Sequence, residues 1–343
     1  MMEDITIEEA LALDNPLFID LRSPSEYHEA TIPGAINIPF FNDQERVEVG
    51  TLYRQESPRR AREKGLEIIA PRLPELVRTM EAYSRDREVV IFCWRGGERS
   101  RGMASVLKLM KVPFHRLAGG YRAYRSYVAQ QLTRLPRGQV IVVHGLTGCG
   151  KTELINRLIE RGCAAIDLEG LAHHRGSIFG AVGMGEQPSQ KMFDSQLLRE
   201  LQRLESFPYL VVECESRRIG RLFLPEHLHR KMEEGRHILV YDTMASRVRR
   251  LVTEYASGGE ERIRQLKDCL PRLEKYIGRA RVRELMDLVE KRVFTEVVEY
   301  LLVNHYDNLY RYPSGPDEQY DLCISTGNMD RAVAEMVAYL KQQ

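Results

Sequence analysis

The chain has 343 residues, 43% of them apolar and 29% charged, too many for one ordinary core and too apolar for disorder, so two domains are expected. Lys and Arg number 50 against 49 Asp and Glu, a formal net charge of +1, which excludes a global positive field and leaves any polyanion to local basic surface. No apolar run approaches the roughly 20 residues of a membrane span, the N-terminal stretch is acidic without a basic leader, and the six cysteines form no CxxC pair; a cytoplasmic protein without membrane, zinc-knuckle or disulfide framework is expected.

In chain order, apolar strands are predicted at Leu17–Leu21 and Val89–Cys93, with helical patterns at Leu73–Tyr83 and Arg101–Met110. This alternation indicates an α/β domain on a largely parallel sheet. Between the two strands Arg54, Arg59, Arg60, Arg62 and Lys64 form a basic insertion, with Tyr53 beside it. After a helix at Tyr121–Leu132, the Pro- and Gly-containing stretch Thr133–Gly138 places a domain boundary near Pro136, dividing the chain into residues 1–135 and 136–343. Strands at Gln139–His144, Ala164–Leu168, Tyr209–Glu213 and Ile238–Tyr241 then build a second α/β unit. From about residue 246 to 302 the pattern turns helical. There Leu285, Leu288, Val289, Val293, Val297, Tyr300 and Leu301 share one face, as in an amphipathic helix packed on its own domain. The same segment carries a basic tract that includes Arg279, Arg281 and Arg283. A strand at Tyr320–Ser325 and a helix at Met329–Leu340 return the chain to the sheet.

Two strand-to-helix loops carry chemistry. Residues Gly145–Thr152 fit G-x-x-x-x-G-K-[ST] at every fixed position, after a strand and before a helix. Gly145, Gly148 and Gly150 let backbone N–H groups turn toward a phosphate, Lys151 brings charge to its outer oxygens, and Thr152 supplies a hydroxyl for phosphate or Mg²⁺. The motif grips a di- or triphosphate without saying whether it is a nucleotide. An acidic partner is expected at Glu213 or Glu215, with Glu213 preferred; Mg²⁺ is left open, and no metal ligand is assigned. Arg247, Arg249 and Arg250 read equally as a phosphate lid or a solvated face. In the first domain Cys93 opens the loop Cys93–Ser100, where a helix N-terminus, two glycines, Arg95 and Arg99 favour a thiolate nucleophile. Cys149 reads as a small permissive residue, and Cys163, Cys214, Cys269 and Cys323 as structural.

Asp20–His28, Ile32–Pro39 and Leu117–Tyr121, with the Cys93 loop, resemble the signatures of rhodanese domains. Together with Cys93–Gly97, the phosphate loop, Asp167–Ser177 and Glu215–Gly220, the chain resembles the tRNA 2-selenouridine synthase family over nearly its whole length. The implied fold is a rhodanese-like parallel-sheet domain followed by a P-loop NTPase-like α/β domain with a helical, partly basic insertion. The implied reaction replaces the sulfur of wobble 2-thiouridine in tRNA by selenium from selenophosphate, through S-geranylation by geranyl diphosphate. Lys151 would then stabilise departing pyrophosphate, and Cys93 would attack selenophosphate or carry selenium as a persulfide-like adduct. A selenophosphate-producing enzyme is an implied partner. The sequence departs from the family pattern at Cys214, where a second acid is usual, leaving Glu213 and Glu215 as the acidic pair. Arg54, Arg59, Arg60, Arg279 and Arg283 are the candidate tRNA contacts, although acids interleaved with them read equally as a mixed-charge surface.

Cys93 to Arg99 also satisfies C-x5-R, the loop of thiolate phosphatases, but Phe92 stands where many of these carry His. That alternative is a Cys-dependent phosphatase fused to a nucleotide-binding domain. A nucleotide-gated RNA adaptor is a third reading, against which the intact Cys93 counts.

Overall fold

The computed structural model describes residues 4–256 and 258–343. Residues 1–3, part of the acidic N-terminal stretch, and Ser257, inside the helical segment, lie outside the described residues. The chain divides into two compact units, Met1–Gln131 with Asp194–Gln196, and Leu132–Phe193 with Leu197–Gln343.

The first unit holds a parallel sheet of β1 (Asp4–Ile5), β2 (Pro16–Asp20), β3 (Ile36–Asn37), β4 (Glu88–Phe92) and β5 (His115–Leu117), in the order β1-β5-β4-β2-β3. Strands β2 and β4 are apolar almost throughout because helices cover both faces, and Leu17, Ile19, Val89 and Ile91 join Met103 and Leu107 in its core. The basic insertion is a pair of helices, Asp43–Gln55 and Pro58–Ile69. Asn42 caps the first in a reciprocal capping box with Glu45.

The second unit is also α/β, with β6 (Gln139–His144), β7 (Ala165–Ile166), β8 (Tyr209–Glu213), a small hairpin of β9 (Arg218–Ile219) and β10 (Leu222–Phe223), β11 (Arg236–Tyr241) and β12 (Leu322–Ser325). Its main sheet is parallel in the order β12-β11-β6-β8-β7. From β6 the chain first builds outward to β7 and β8, then crosses to β11 on the other side. The end of β6 is therefore the switch point at which parallel sheets bind ligands.

Three sequence expectations are adjusted. The strand expected at Ala164–Leu168 is only two residues long, because Asp167 leaves it to cap the helix Leu168–Ala172 through a 2.7 Å bond from the Gly170 N–H. The strand expected from Tyr320 begins at Leu322. The apolar face from Leu285 to Leu301 belongs to two helices, Arg279–Glu290 and Phe294–Leu301, broken at Arg292, which takes φ 60°. Their buried sides, with Phe179, Val248, Leu251 and Leu273, form a separate core for the helical insertion.

Candidate functional site

In the first unit Cys93 is the residue immediately after β4, only 3% exposed. Its Sγ lies 3.2 Å from Ser100 Oγ, which is itself 3.3 Å from the Gly97 carbonyl. The twelve-residue helix Glu98–Leu109 starts directly behind this loop, so its unsatisfied N–H groups favour negative charge there. The loop is closed by the turn Gly119–Tyr121: the Tyr121 N–H donates to the Cys93 carbonyl at 2.8 Å and the Arg122 N–H to that of Trp94 at 2.9 Å. Gly120, at φ +60°, is required there, because a Cβ would sit 2.2 Å from the Cys93 carbonyl oxygen and 2.5 Å from Gly96 N. Gly120→Ala should therefore lower stability by more than the ~1–3 kcal/mol of backbone strain alone; a urea-unfolding midpoint equal to wild type would contradict this.

Beneath the loop, Arg22 and Asp20 form a fully buried ion pair, with Arg22 Nη2 2.6 Å from Asp20 Oδ2 and also donating to the Ala30 carbonyl. The Arg22 guanidinium lies 3.9 Å from the centre of the Tyr121 ring. Thus the N-terminal signature Asp20–Arg22 and the closing motif at Tyr121 are parts of one support. Arg99 does not point its charge at the thiol. It pairs with Glu26 at 2.6 Å; burial works to raise the Glu26 carboxyl, but the bond and charge of Arg99 outweigh it and hold the acid below its usual range. Arg95 is exposed.

In the second unit the phosphate loop leaves β6 and enters the helix Lys151–Glu160. Gly145, Gly148 and Gly150 all have positive φ, and a Cβ on Gly145 would meet the Val240 carbonyl at 2.3 Å. Side chains from far along the chain hold the loop. Thr326 Oγ1 donates to the Cys149 carbonyl at 2.7 Å, and buried Arg247 donates to that of Thr147 at 2.8 Å while pairing with Asp307. Of the three arginines read as lid or surface, Arg247 is thus internal, Arg250 pairs with Asp242 at 2.6 Å, and Arg249 is exposed at the cleft.

Lys151 Nζ donates to the Gly145 carbonyl at 2.8 Å, closing the loop on itself. Burial favours its neutral form, yet Cys149, Glu169 and Glu215 around it raise its pKa on balance. Thr152 Oγ1 donates to Glu169 Oε2 at 3.1 Å. Glu213, at the end of β8, accepts from the Glu169 N–H at 2.6 Å, and its other oxygen is buried without a partner. Burial first, then Asp167 and Glu169, push its pKa well up. Glu215 lines the cleft; burial, then the charge and hydrogen bond of Glu169, raise it to about 9. The Glu169 carboxyl is the member of this cluster that sequence reasoning did not assign, although it stands inside the quoted stretch Asp167–Ser177.

A group whose folded pKa is raised keeps a proton that the unfolded chain has released, so stability falls as pH rises between the ordinary carboxyl range and about 9. Glu215→Gln should flatten that decline. Thermal midpoints of both proteins across this pH window are the check, and parallel slopes would dismiss the coupling.

The cleft around the loop measures about 650 Å³ and is lined by Lys151, Thr152, Glu169, Arg175, Glu215, Arg249, Tyr310 and Tyr312, among others. Cys214, read as structural, faces it too, with Sγ 3.2 Å from the Tyr312 hydroxyl. Beside the cleft is a second, apolar chamber of about 60 Å³ within the helical insertion. The two share Thr147, Ser177, Leu251 and Tyr255 as wall residues. Nothing in the helical spacing marked this chamber; the same apolar face that packs the insertion leaves it between helices.

The basic tracts are largely paired. Arg59 bonds Glu63, Arg60 lies near Glu56 and Glu63, Arg54 donates to the Gly50 carbonyl, and Arg279 lies 3.9 Å from Glu274. Arg283 is exposed. Such surface pairs contribute little and exchange readily for phosphate contacts.

Comparison with known proteins then decides the family. A model described as the tRNA 2-selenouridine synthase AAA domain matches residues 138–343, and a rhodanese-like domain model matches residues 6–127. The tRNA 2-selenouridine synthase of Pseudomonas syringae pv. syringae is 31% identical over 333 residues, covering 88% of this chain and 90% of its own. The chain belongs to the tRNA 2-selenouridine synthase family. Proteins of that name from Proteus mirabilis, 31% identical over 94% of this chain and 95% of theirs, and from Nitrosomonas europaea, 33% identical over 83% and 77%, are also similar. As a tRNA 2-selenouridine synthase family member the chain is a tRNA-modifying enzyme with an N-terminal rhodanese sheet and a P-loop-like AAA domain. Among the described residues no helix is long and apolar enough to cross a membrane.

Proposed function

We propose that this enzyme converts wobble 2-thiouridine of tRNA to 2-selenouridine in two steps, S-geranylation from geranyl diphosphate at the Lys151 loop and selenation from selenophosphate at Cys93. The observation that carries the first step is the apolar chamber sharing four wall residues with the phosphate cleft. A phosphate loop beside such a chamber suits an ester with a diphosphate head and a hydrocarbon tail. The larger cavity takes the head and the first carbons, and the chamber takes the distal end. A nucleotide would leave that hydrocarbon surface without a partner.

In the first step the thione sulfur of the base attacks the allylic carbon, the C–O bond breaks, pyrophosphate leaves, and the N3 proton is lost. Lys151, the loop N–H groups and the helix N-terminus stabilise the charge that grows on the leaving oxygen. Among the described residues no three His, Cys, Asp or Glu side chains converge on a metal position. Thr152, Glu169 and Glu215 are nevertheless hard oxygen donors that fit Mg²⁺, which would neutralise diphosphate charge and take most of its remaining contacts from phosphate and water.

In the second step the Cys93 thiolate attacks phosphorus of selenophosphate, forming an S–P bond and releasing hydroselenide. Selenium then adds to C2 of the S-geranyl base, geranyl thiolate leaves, and water later frees phosphate from Cys93. Thiolate attack on phosphorus is the chemistry this loop would share with the C-x5-R phosphatases, although here Glu26 holds the Arg99 guanidinium. A selenophosphate-producing enzyme supplies the donor, and cytoplasmic location follows from the tRNA substrate.

Val298, which lines the chamber, gives the test of the first step. Val298→Phe should shorten the chain accepted, reducing transfer of geranyl more than of dimethylallyl from their diphosphates, as read by mass spectrometry of nucleosides. Equal loss of both, in protein of unchanged thermal midpoint, would place the chain elsewhere.

A further inference from the structure

The chain between the helical insertion and β12 is built in an unusual way. After the helix Phe294–Leu301, residues Leu302–Tyr306 form a turn of π-helix, followed by a short helix Asp307–Tyr310 that ends with Arg311 at φ 54°. A π-turn and a left-handed non-glycine residue each cost free energy and persist where surrounding structure holds them. Here the holding contact is visible: Asp307 takes both Nη groups of buried Arg247, at 2.9 and 2.5 Å, and Arg247 also bonds the Thr147 carbonyl of the phosphate loop.

The product of this geometry is a set of parallel rings. Tyr306 and Tyr310 are 6.4 Å apart at 8°, and Tyr310 and Tyr312 are 6.3 Å apart at 7°. Residues 310 and 312 flank Arg311, so its backbone conformation sets their common orientation. Tyr310 and Tyr312 line the cleft, and Tyr310 remains 38% exposed at a site within electrostatic reach of Lys151 and Glu215.

We infer that Tyr310, aligned by Tyr312 and the Arg247–Asp307 pair, is the platform on which the target pyrimidine of the RNA stacks while its C2 substituent faces the phosphate loop. The inference rests on the proposed function for the identity of the base. Single-stranded RNA bases splayed from their neighbours are held by aromatic faces in this way, and Tyr310, the middle ring of the set, keeps 38% of its surface open at the cleft to take a planar base. The exposed Arg249 guanidinium, on the same cleft wall, offers a contact for the adjoining phosphate.

The experiment is a binding cycle by fluorescence anisotropy. It pairs wild type and Tyr310→Ala with an anticodon stem-loop carrying 2-thiouridine and with the same stem-loop abasic at that position. In wild type the abasic change should weaken binding ~10-fold or more, the scale of one base–aromatic stack. In Tyr310→Ala it should cost almost nothing. Tyr310→Phe and Tyr310→Trp should restore the base dependence, and pyrophosphate binding should be the same in all four proteins. The inference is overturned if the abasic change costs as much in Tyr310→Ala as in wild type, if Phe and Trp fail alongside Ala, or if wild type does not distinguish the two stem-loops. A loss of ATP affinity in Tyr310→Ala with RNA binding unchanged would assign the ring to a mononucleotide and also overturn it. Geranylated product is measured separately: its absence beside an intact binding cycle sinks the proposed first step and leaves the platform standing.

Discussion

Lys151→Ala should abolish geranyl transfer while leaving the fold in place. Among the described residues its ammonium bonds the Gly145 carbonyl and, at 3.5 Å, that of Leu146, and no ion pair of Lys151 is broken by its removal. The loop itself is set by positive-φ glycines and by Thr326 and Arg247, none of which the substitution touches. What disappears is one full charge opposite a leaving diphosphate, where removing even a single preorganised donor costs about 10²–10³ in rate. Two or more orders of magnitude should therefore be lost in the rate of S-geranyl nucleoside formation, with pyrophosphate affinity falling in parallel. Retained transfer would remove the phosphate loop from the first step. Supplying pre-geranylated RNA separates the steps, since selenation of that substrate by Lys151→Ala should proceed as in wild type.

Cys93→Ala should show the opposite pattern, with S-geranyl nucleoside accumulating and no selenonucleoside formed. Loss of a covalent nucleophile leaves only background reaction, so a decrease of at least about 10³-fold is expected in selenation. The thiol is buried and touches Ser100 at 3.2 Å, which makes Cys93→Ser a useful companion: it keeps a polar hydrogen-bonding group at that position and should be equally inactive. Selenation by either variant at a wild-type rate would transfer the chemistry to another group. If both products vanish in Cys93→Ala while its thermal midpoint is unchanged, the division of labour between the two loops fails.

Much of the site was legible because two motifs tie chemistry to short, local geometry. A phosphate loop is eight adjacent residues whose glycines and lysine act through their own backbone turn, and Cys93 is placed by the strand end that carries it. Strand cores were equally readable, since a parallel strand covered on both faces is apolar through its middle, as β2, β6 and β8 are. The missing pieces are non-local. Glu169 enters the site only because Asp167 caps a short helix and turns it under Thr152. Arg99 looked like a partner of the thiol until Glu26, 73 residues earlier, took its charge. The break at Arg292 hid in a continuous apolar periodicity, because two helices with a common buried side repeat the same spacing as one. The tyrosine set was invisible for the same reason: ring orientation depends on Arg311 and on an ion pair between Arg247 and Asp307, neither of which has a sequence signature.

The bond from Thr326 to the Cys149 carbonyl spans 177 residues, and that separation bears on the order in which a nascent chain can become active. Every residue of the phosphate motif has been synthesised by position 152, yet the hydroxyl that pins the loop, and the edge strand β12 that precedes it, are among the later parts to emerge from the ribosome. Until then β11 has an open edge and the loop lacks one of its braces. Contacts of such sequence separation form late and slowly, so the phosphate-binding half matures only after Thr326 has been made, whereas the rhodanese unit, with its own sheet assembled by Leu117, is free to fold first.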